Sequence, residues 1–153
     1  MERHSSFLRY IFGRLAIMPV FLVLMSLFLC ACDKEDDNGR LGGMWQMKEW
    51  RSVPSGELVA GKEERIFYSV QLDLMKFQRI GDTNPPYFLS RFTHRGDSLI
   101  IGTVYSRPKD SIVSISMLAP YGVPADGRFH IDHLSSHTLI LSADSVRLTF
   151  RKY

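Results

Sequence analysis

Ile66, Tyr68, Val70, Leu72 and Leu74 occupy every second position of one segment, with Ser69, Gln71 and Asp73 between them. A period of two belongs to a strand with one face in a core and the other in water. A helix would space its apolar residues three and four apart. The pattern changes phase near Met75 and Phe77, which predicts a bulge where this strand bends. Shorter segments of the same kind follow one another from Gly42 to Tyr153. Met44 to Arg51 alternates Trp45 and Met47 with Gln46 and Lys48. Tyr87 to His94 and Ser98 to Ser106 are joined through Arg95-Gly96-Asp97, a hairpin signal. Arg128 to Leu134, Thr138 to Ser142 and Ser145 to Arg151 close the chain, with Val146, Leu148 and Phe150 on one face of the last. Pro54-Ser55-Gly56, Asn84-Pro85-Pro86, Ser135-Ser136 and Ala143-Asp144 supply breaks between them. Ser111 to Leu118 reads two ways: as a strand through Val113, Ile115 and Met117, or as a short helix capped by Asp110 with Ile112, Ile115 and Ala119 in register. Pro120 ends it in either case.

Short strands joined mostly by tight turns, with no long helical pattern, predict an all-β fold: an antiparallel up-and-down meander that closes into a barrel of about eight strands. Closure removes exposed strand edges. A barrel of that size is just wide enough to be filled by side chains or to hold one small ligand. The inward candidates Trp45, Tyr68, Phe92, Tyr105, Phe129 and Phe150 are large, so a mostly filled interior is expected. A pocket, where one forms, would be small and apolar and marked by Tyr68 or Tyr105; the alternative for each is a core ring with its hydroxyl satisfied at the rim. With Trp45 facing in, an uninterrupted strand puts Trp50 on the opposite face, where an exposed indole could stack on a sugar ring or anchor a partner. The alternative is that the loop from Val53 to Gly61 covers it.

The first 31 residues are of another kind. Arg3, Arg9 and Arg14 precede an apolar run from Leu15 to Leu29 interrupted by Pro19. Basic residues before a short apolar run make a secretory leader, and the run falls short of the roughly 20 residues a spanning helix needs. Leu29-Cys30-Ala31-Cys32 follows at once and resembles the lipobox of bacterial lipoproteins, which implies cleavage before Cys32 and lipidation of its thiol. Removing residues 1–31 of 153 leaves 122, enough for one domain. It also removes Cys30, so no disulfide can form within the mature chain and the core alone must hold the fold. The leader takes three arginines and one glutamate from 19 basic and 16 acidic residues, leaving 16 and 15. A nearly neutral mature chain gives no electrostatic reason to expect nucleic acid. Residues 33–40 are polar, without an apolar period, and read as a tether of roughly 26 Å when fully extended. The expected organisation is a leader (1–31), a lipidated cysteine with its tether (32–41) and a barrel domain (42–153).

Two further resemblances bear on place and fold. Lys34-Glu35-Asp36-Asp37 resembles the lysine-plus-acidic signal that follows the lipid cysteine in surface-exported lipoproteins of the Bacteroidetes; an ordinary charged linker is the alternative. That resemblance implies the outer membrane, with the cell surface ahead of the periplasmic face. Gly43-Met44-Trp45 resembles the Gly-x-Trp opening of lipocalins, and Arg147 or Arg151 on the last strand could pack across that tryptophan as the family's basic residue does. The closing pattern Phe129-x-Ile131-x-x-Leu134, Leu139-x-Leu141, Leu148-x-Phe150-x-Lys152 looks like the small lipocalin-like lipoproteins of the Bacteroidetes. The resemblance implies a barrel and binding of a small apolar or glycan-like ligand, for which Trp45, Tyr68, Phe92 and Tyr105 are the lining candidates. In the second reading the barrel is solid, and its outer face, through Trp50 and the Pro85-Pro86-Tyr87 loop, docks another envelope protein.

Motifs for chemistry do not emerge. His130, His133 and His137 lie near Asp132, residue types that bind zinc. On a strand, however, His130 and Asp132 share one face, His133 points to the other and His137 falls at the turn, so solvated histidines are expected and no metal. Serines are plentiful without a Gly-x-Ser-x-Gly elbow, and no free cysteine survives maturation. Glu63-Glu64 reads as a solvated run, since sequence neighbours on a strand diverge. Neither Walker nor dinucleotide-type glycine patterns occur. No catalytic residue and no cofactor are expected.

Overall fold

A computed structural model describes residues 38–81, 86–107 and 109–153. The leader, Cys32 and its polar tether through Asp37, and Pro85 lie outside the described residues.

The polypeptide forms a closed antiparallel barrel. A 3-10 turn, η1 (Gly39–Leu41), leads into β1 (Gly43–Ser52). Then come β2 (Leu58–Gly61), a second 3-10 turn η2 (Lys62–Glu64), β3 (Ile66–Gln71), β4 (Leu74–Arg79), β5 (Tyr87–Arg95), β6 (Ser98–Arg107) and β7 (Ser111–Val113). A longer 3-10 segment, η3 (Ile115–Tyr121), precedes β8 (Arg128–Leu134), β9 (Thr138–Ser142) and β10 (Val146–Lys152). The strand order β10-β9-β8-β6-β5-β4-β3-β1 closes through pairing of β10 with β1, giving eight staves. Two staves are interrupted. The first half of β1 pairs with β3 and its second half with β2; likewise β6 pairs with β8 near its start and with β7 near its end. At the lower end of the barrel lie η1, the β3–β4, β5–β6 and β8–β9 turns and Tyr153. At the upper end lie β2, η2, β7 and η3.

The long alternating run is not one bent strand but a hairpin. Val70 pairs with Met75 and Gln71 with Leu74, leaving Leu72 and Asp73 as a two-residue turn. Cross-strand partners point to the same face, so the change of phase is what a two-residue turn imposes. The turn lacks the glycine or asparagine that usually announces one. Leu72 instead adopts a positive φ of 52° and is exposed.

Three bulges redirect side chains. Lys48 is an extra residue between Met47, paired with Phe150, and Glu49, paired with Thr149. It brings Trp50 round to the face of Trp45 and Met47, where the half-buried indole packs on the core and not outward as an unbroken strand requires. Gly102 and Thr103 oppose the single Arg91, since Ser90 pairs with Val104 and Phe92 with Ile101. Leu99, Ile101 and Val104 therefore face in, and Tyr105 is turned away from the core that it was expected to line. A Cβ at position 102 would meet the Arg91 carbonyl oxygen at 3.0 Å, which suits the bulge to glycine. Asp132 is the extra residue in β8.

The ambiguous segment around residue 115 is both things in turn. Ser111–Val113 is strand, and Ile115–Tyr121 is a 3-10 helix capped by Ser114, whose Oγ accepts from the Ser116 amide at 3.3 Å. Pro120 lies inside the helix and does not end it. The end comes at Gly122, in the left-handed region at φ 89°.

The lower end is closed around Trp45. Its Nε1 donates to the Leu41 carbonyl at 2.8 Å, and both residues are fully buried. Lys152, the cross-strand partner of Trp45, sets its Nζ 5.0 Å from the indole centroid and donates to the Arg40 carbonyl at 3.1 Å. The basic residue across the tryptophan is thus Lys152. Arg151 turns outward to Gln46, its Nε donating to Oε1 at 2.9 Å, and Arg147 donates to Asp132 at 2.6 Å. The core runs from Leu41 to Phe150 within this one unit. Trp45→Ala is expected to cost about 3–5 kcal/mol by creating a cavity. Lys152→Met, which keeps the apolar stem, should cost under about 1 kcal/mol. Urea unfolding midpoints of the two variants check both.

Candidate functional site

A barrel of this kind can act through its interior, its mouth or its outer surface, and the side chains decide among them. Tyr68, Phe77 and Phe150 meet at the centre. Tyr68 lies edge-on to Phe77 with centroids 4.6 Å apart and 4.7 Å from Phe150. All three are buried. This is the interdigitation that fills an eight-stranded interior.

The mouth at the upper end is covered by η3 and the residues after it. Tyr121 packs edge-on against Phe88 at 5.7 Å and Phe77 at 6.4 Å. Leu118 and Val123 are buried beside it. The Tyr68 hydroxyl, wholly enclosed, donates to the Tyr121 carbonyl at 2.8 Å, and burial pushes that hydroxyl's pKa far above the usual tyrosine value. It therefore stays a neutral donor. Gly122 makes the close approach possible, because a Cβ there would lie 2.9 Å from a Leu148 methyl and 3.5 Å from Trp50. At Gly127 a Cβ would come within 2.9 Å of the Ile101 carbonyl oxygen. These glycines let the segment between β7 and β8 fold down onto the barrel as a plug.

Among the sequence candidates, Trp45 and Tyr68 belong to the interior and touch neighbours on every side. Phe92 is half-buried near the lower end, where it borders an open hollow of about 450 Å³ with Asn38, Leu72, Asp73, Thr93 and His94. Tyr105 lies on the outer side, and Tyr87 is half-buried near the upper end with the Lys76 ammonium 4.5 Å from its ring centroid. The four proposed lining residues are not brought together round one void. Trp50 sits under the plug, and the sequence signal missed was the Tyr121-Gly122 pair that seals it there.

Exposed apolar side chains lie on the upper rim in two groups, one beside β2 and one beside β7 and η3, four staves apart round the barrel. Val53, Leu58, Val59, Ile112 and Met117 each show half or more of their surface to solvent. Among the described residues, β2 pairs with β1 alone and β7 with β6 alone. Each leaves an edge open to another strand.

On the outer wall Asp132 collects a small polar network. It accepts from Ser142 Oγ at 2.6 Å, from Arg147 Nη1 at 2.6 Å and from His130 at 3.1 Å. The hydrogen bond from Ser142, with those of His130 and the charge of Arg147, holds the Asp132 carboxyl below its usual pKa against a smaller opposing effect of burial. Among the described residues no three histidine, cysteine or carboxylate groups are placed to hold a metal ion.

The sequence matches the lipocalin-like domain family over residues 27–153. No curated protein matches it at a significant level. Two solved structures share the fold. A lipocalin-like protein from Bacteroides uniformis ATCC 8492 is 21% identical, with a TM-score of 0.55 over 75% of this chain and 100% of that one. A protein from Bacteroides eggerthii DSM 20697 described as uncharacterized is also 21% identical, with a TM-score of 0.52 over 73% of this chain and 98% of that one. At that identity the likeness establishes architecture.

Two measurements check this account. Tyr68→Phe leaves the Tyr121 carbonyl without its buried donor and is expected to cost about 1–2 kcal/mol, with faster amide exchange concentrated in residues 115–123. Asp132→Asn tests the network by pH. Because the folded carboxyl is held below its unfolded value, its stabilisation is complete above about pH 4 and fades as pH falls through the lower folded value. The variant should be less stable than the parent at pH 7, and the difference should shrink as pH falls through the lowered folded value, read from urea unfolding at each pH.

Proposed function

Because the chain belongs to the lipocalin-like domain family, whose fold serves binding or interaction, we propose that it is a lipid-anchored cell-envelope protein that works through the outside of a filled barrel, docking a second envelope protein at its upper rim. The observation that carries this reading is the packing of Tyr68 between Phe77 and Phe150 beneath the η3 plug, which occupies the space a carried ligand would need. The rim adds the means: two separate strand edges, Val53, Leu58 and Val59 exposed beside that of β2 and Ile112 and Met117 beside that of β7, either of which a partner can use. An extended segment of a partner can add to such an edge through main-chain hydrogen bonds, with apolar side chains giving selectivity. No catalytic step is assigned to the protein.

The anchor is the acyl group proposed for Cys32, on the strength of the lipobox resemblance in Leu29-Cys30-Ala31-Cys32 after a basic and apolar leader. Lys34-Glu35-Asp36-Asp37 supports display on the outer face of the outer membrane. The partner is then a protein of the same surface, met at short range.

Two experiments test the proposal. Native mass spectrometry of the soluble domain from Arg40 to Tyr153, produced in an envelope compartment without Cys32, should give the mass of the bare chain. A stoichiometric adduct lost on unfolding would establish an interior ligand and overturn the filled-barrel reading. In cells, Cys32→Ala should move the protein from the membrane to the soluble fraction and abolish acyl mass on its N-terminal peptide; unchanged membrane retention would overturn the anchor.

A further inference from the structure

Leu72 is out of place by two criteria. A leucine with φ at 52° is rare, because its Cβ crowds the backbone in the left-handed region that glycine and asparagine tolerate. Its side chain is also 58% exposed at the tip of the β3–β4 hairpin. One exposed leucine is ordinary on a surface; one held there at the cost of backbone strain calls for an apolar partner.

We propose that the lower end of the barrel is a membrane-contact face, with the Leu72 tip laid into the headgroup region of the lipid surface that holds the chain. The inference rests on the acylation proposed for Cys32. Five residues separate Cys32 from Asn38, and the six steps between the two span roughly 20 Å at full extension. Asn38 is stitched to the hairpin tip, its Nδ2 donating to the Leu72 carbonyl at 2.6 Å. The chain therefore joins the barrel at Leu72's own end. The upper rim cannot reach the same lipid without inverting the barrel: β1 has 10 residues. Tilted as barrel strands are, a stave of that length stands roughly 25 Å tall. A tether rising from the lower end is too short to run back along it.

The described residues at this end carry Arg40, Arg91, Arg95, Arg151 and Lys152 against Asp73 and Asp97, and Arg91 is paired with Asp73. The tether adds Asp33, Glu35, Asp36 and Asp37 against Lys34, so the contact is assigned to geometry and to the apolar tip and not to net charge. Tyr153, exposed and edge-on to Phe67 at 5.4 Å, presents a ring with a polar tip on the same end, the side-chain type that suits a lipid–water boundary. The open hollow between Phe92 and Leu72 faces the same way.

The test uses the mature chain from residue 32, coupled through Cys32 to a maleimide lipid in phosphatidylcholine vesicles. Hydrogen–deuterium exchange is read peptide by peptide against the uncoupled chain. On the vesicles, exchange over residues 71–74 and 94–97 is expected to slow about fivefold or more while residues 53–61 stay unchanged. Leu72→Asn relieves the strained turn, so it should melt no lower than the parent and yet lose the slowing at residues 71–74. Equal exchange at both ends, slowing at residues 53–61 instead, or full protection in Leu72→Asn would overturn the proposal. Chemical coupling separates the two readings. A chain that docks when coupled but bears no acyl group in cells overturns the anchor and not the face; an acylated chain without slowing overturns the face alone.

Discussion

Filling the barrel is the constraint on which the rest of the structure depends. Eight short staves close around side chains that fill the interior or around one small ligand, and here the occupants are Tyr68, Phe77 and Phe150, with Trp45 below them. One polar atom enters with them, the Tyr68 hydroxyl, and an enclosed hydroxyl needs a partner. It finds the carbonyl of Tyr121. That hydrogen bond ties the segment after β7 to the centre of the barrel, and the interruption between β7 and β8 follows from it. β7 must stop so that η3 can cross the mouth, and β8 must begin lower on β6 after Gly127 has turned the chain back.

The consequences pass outward to the surface. A stave that stops short leaves an edge, and β2 and β7 both end at the upper rim with apolar residues beside them. The same filling that removes room for a carried ligand thus creates the features a macromolecular partner can use. At the opposite end the tight turns leave little but charge, one tyrosine and the Leu72 tip. The barrel thus has two unlike ends, one with open strand edges and apolar residues at its rim and the other made of tight turns.

Much of the fold was legible in the residues. The strands 87–94, 98–106, 128–134 and 138–142 lie where alternation and turn residues put them, since local period and turn chemistry are short-range properties. Errors arose where a one-residue insertion or an unannounced turn reversed the parity. Lys48 turned Trp50 inward, Gly102-Thr103 turned Tyr105 outward, and Leu72-Asp73 folded one apparent strand into two. A bulge carries no reliable residue signature, because what selects it is the fit of the strand to its neighbours and not its own preference. The basic residue over Trp45 was misassigned for a related reason: which of Arg147, Arg151 and Lys152 lies opposite depends on the register of β10 against β1, 100 residues away in the chain.

The sequence by itself determined the class of the protein: an all-β chain of short alternating segments, large enough for one core. Those follow from periodicity, length and composition, which need no neighbour to be read. Only the tertiary structure decided that the interior is occupied, that Tyr121 and Gly122 seal it, and that Leu72 stands strained at the end where the chain enters. Each depends on contacts between residues distant in sequence, such as Tyr68 with Tyr121 and Asn38 with Leu72. Such contacts exist only once closure of the barrel has brought the segments together.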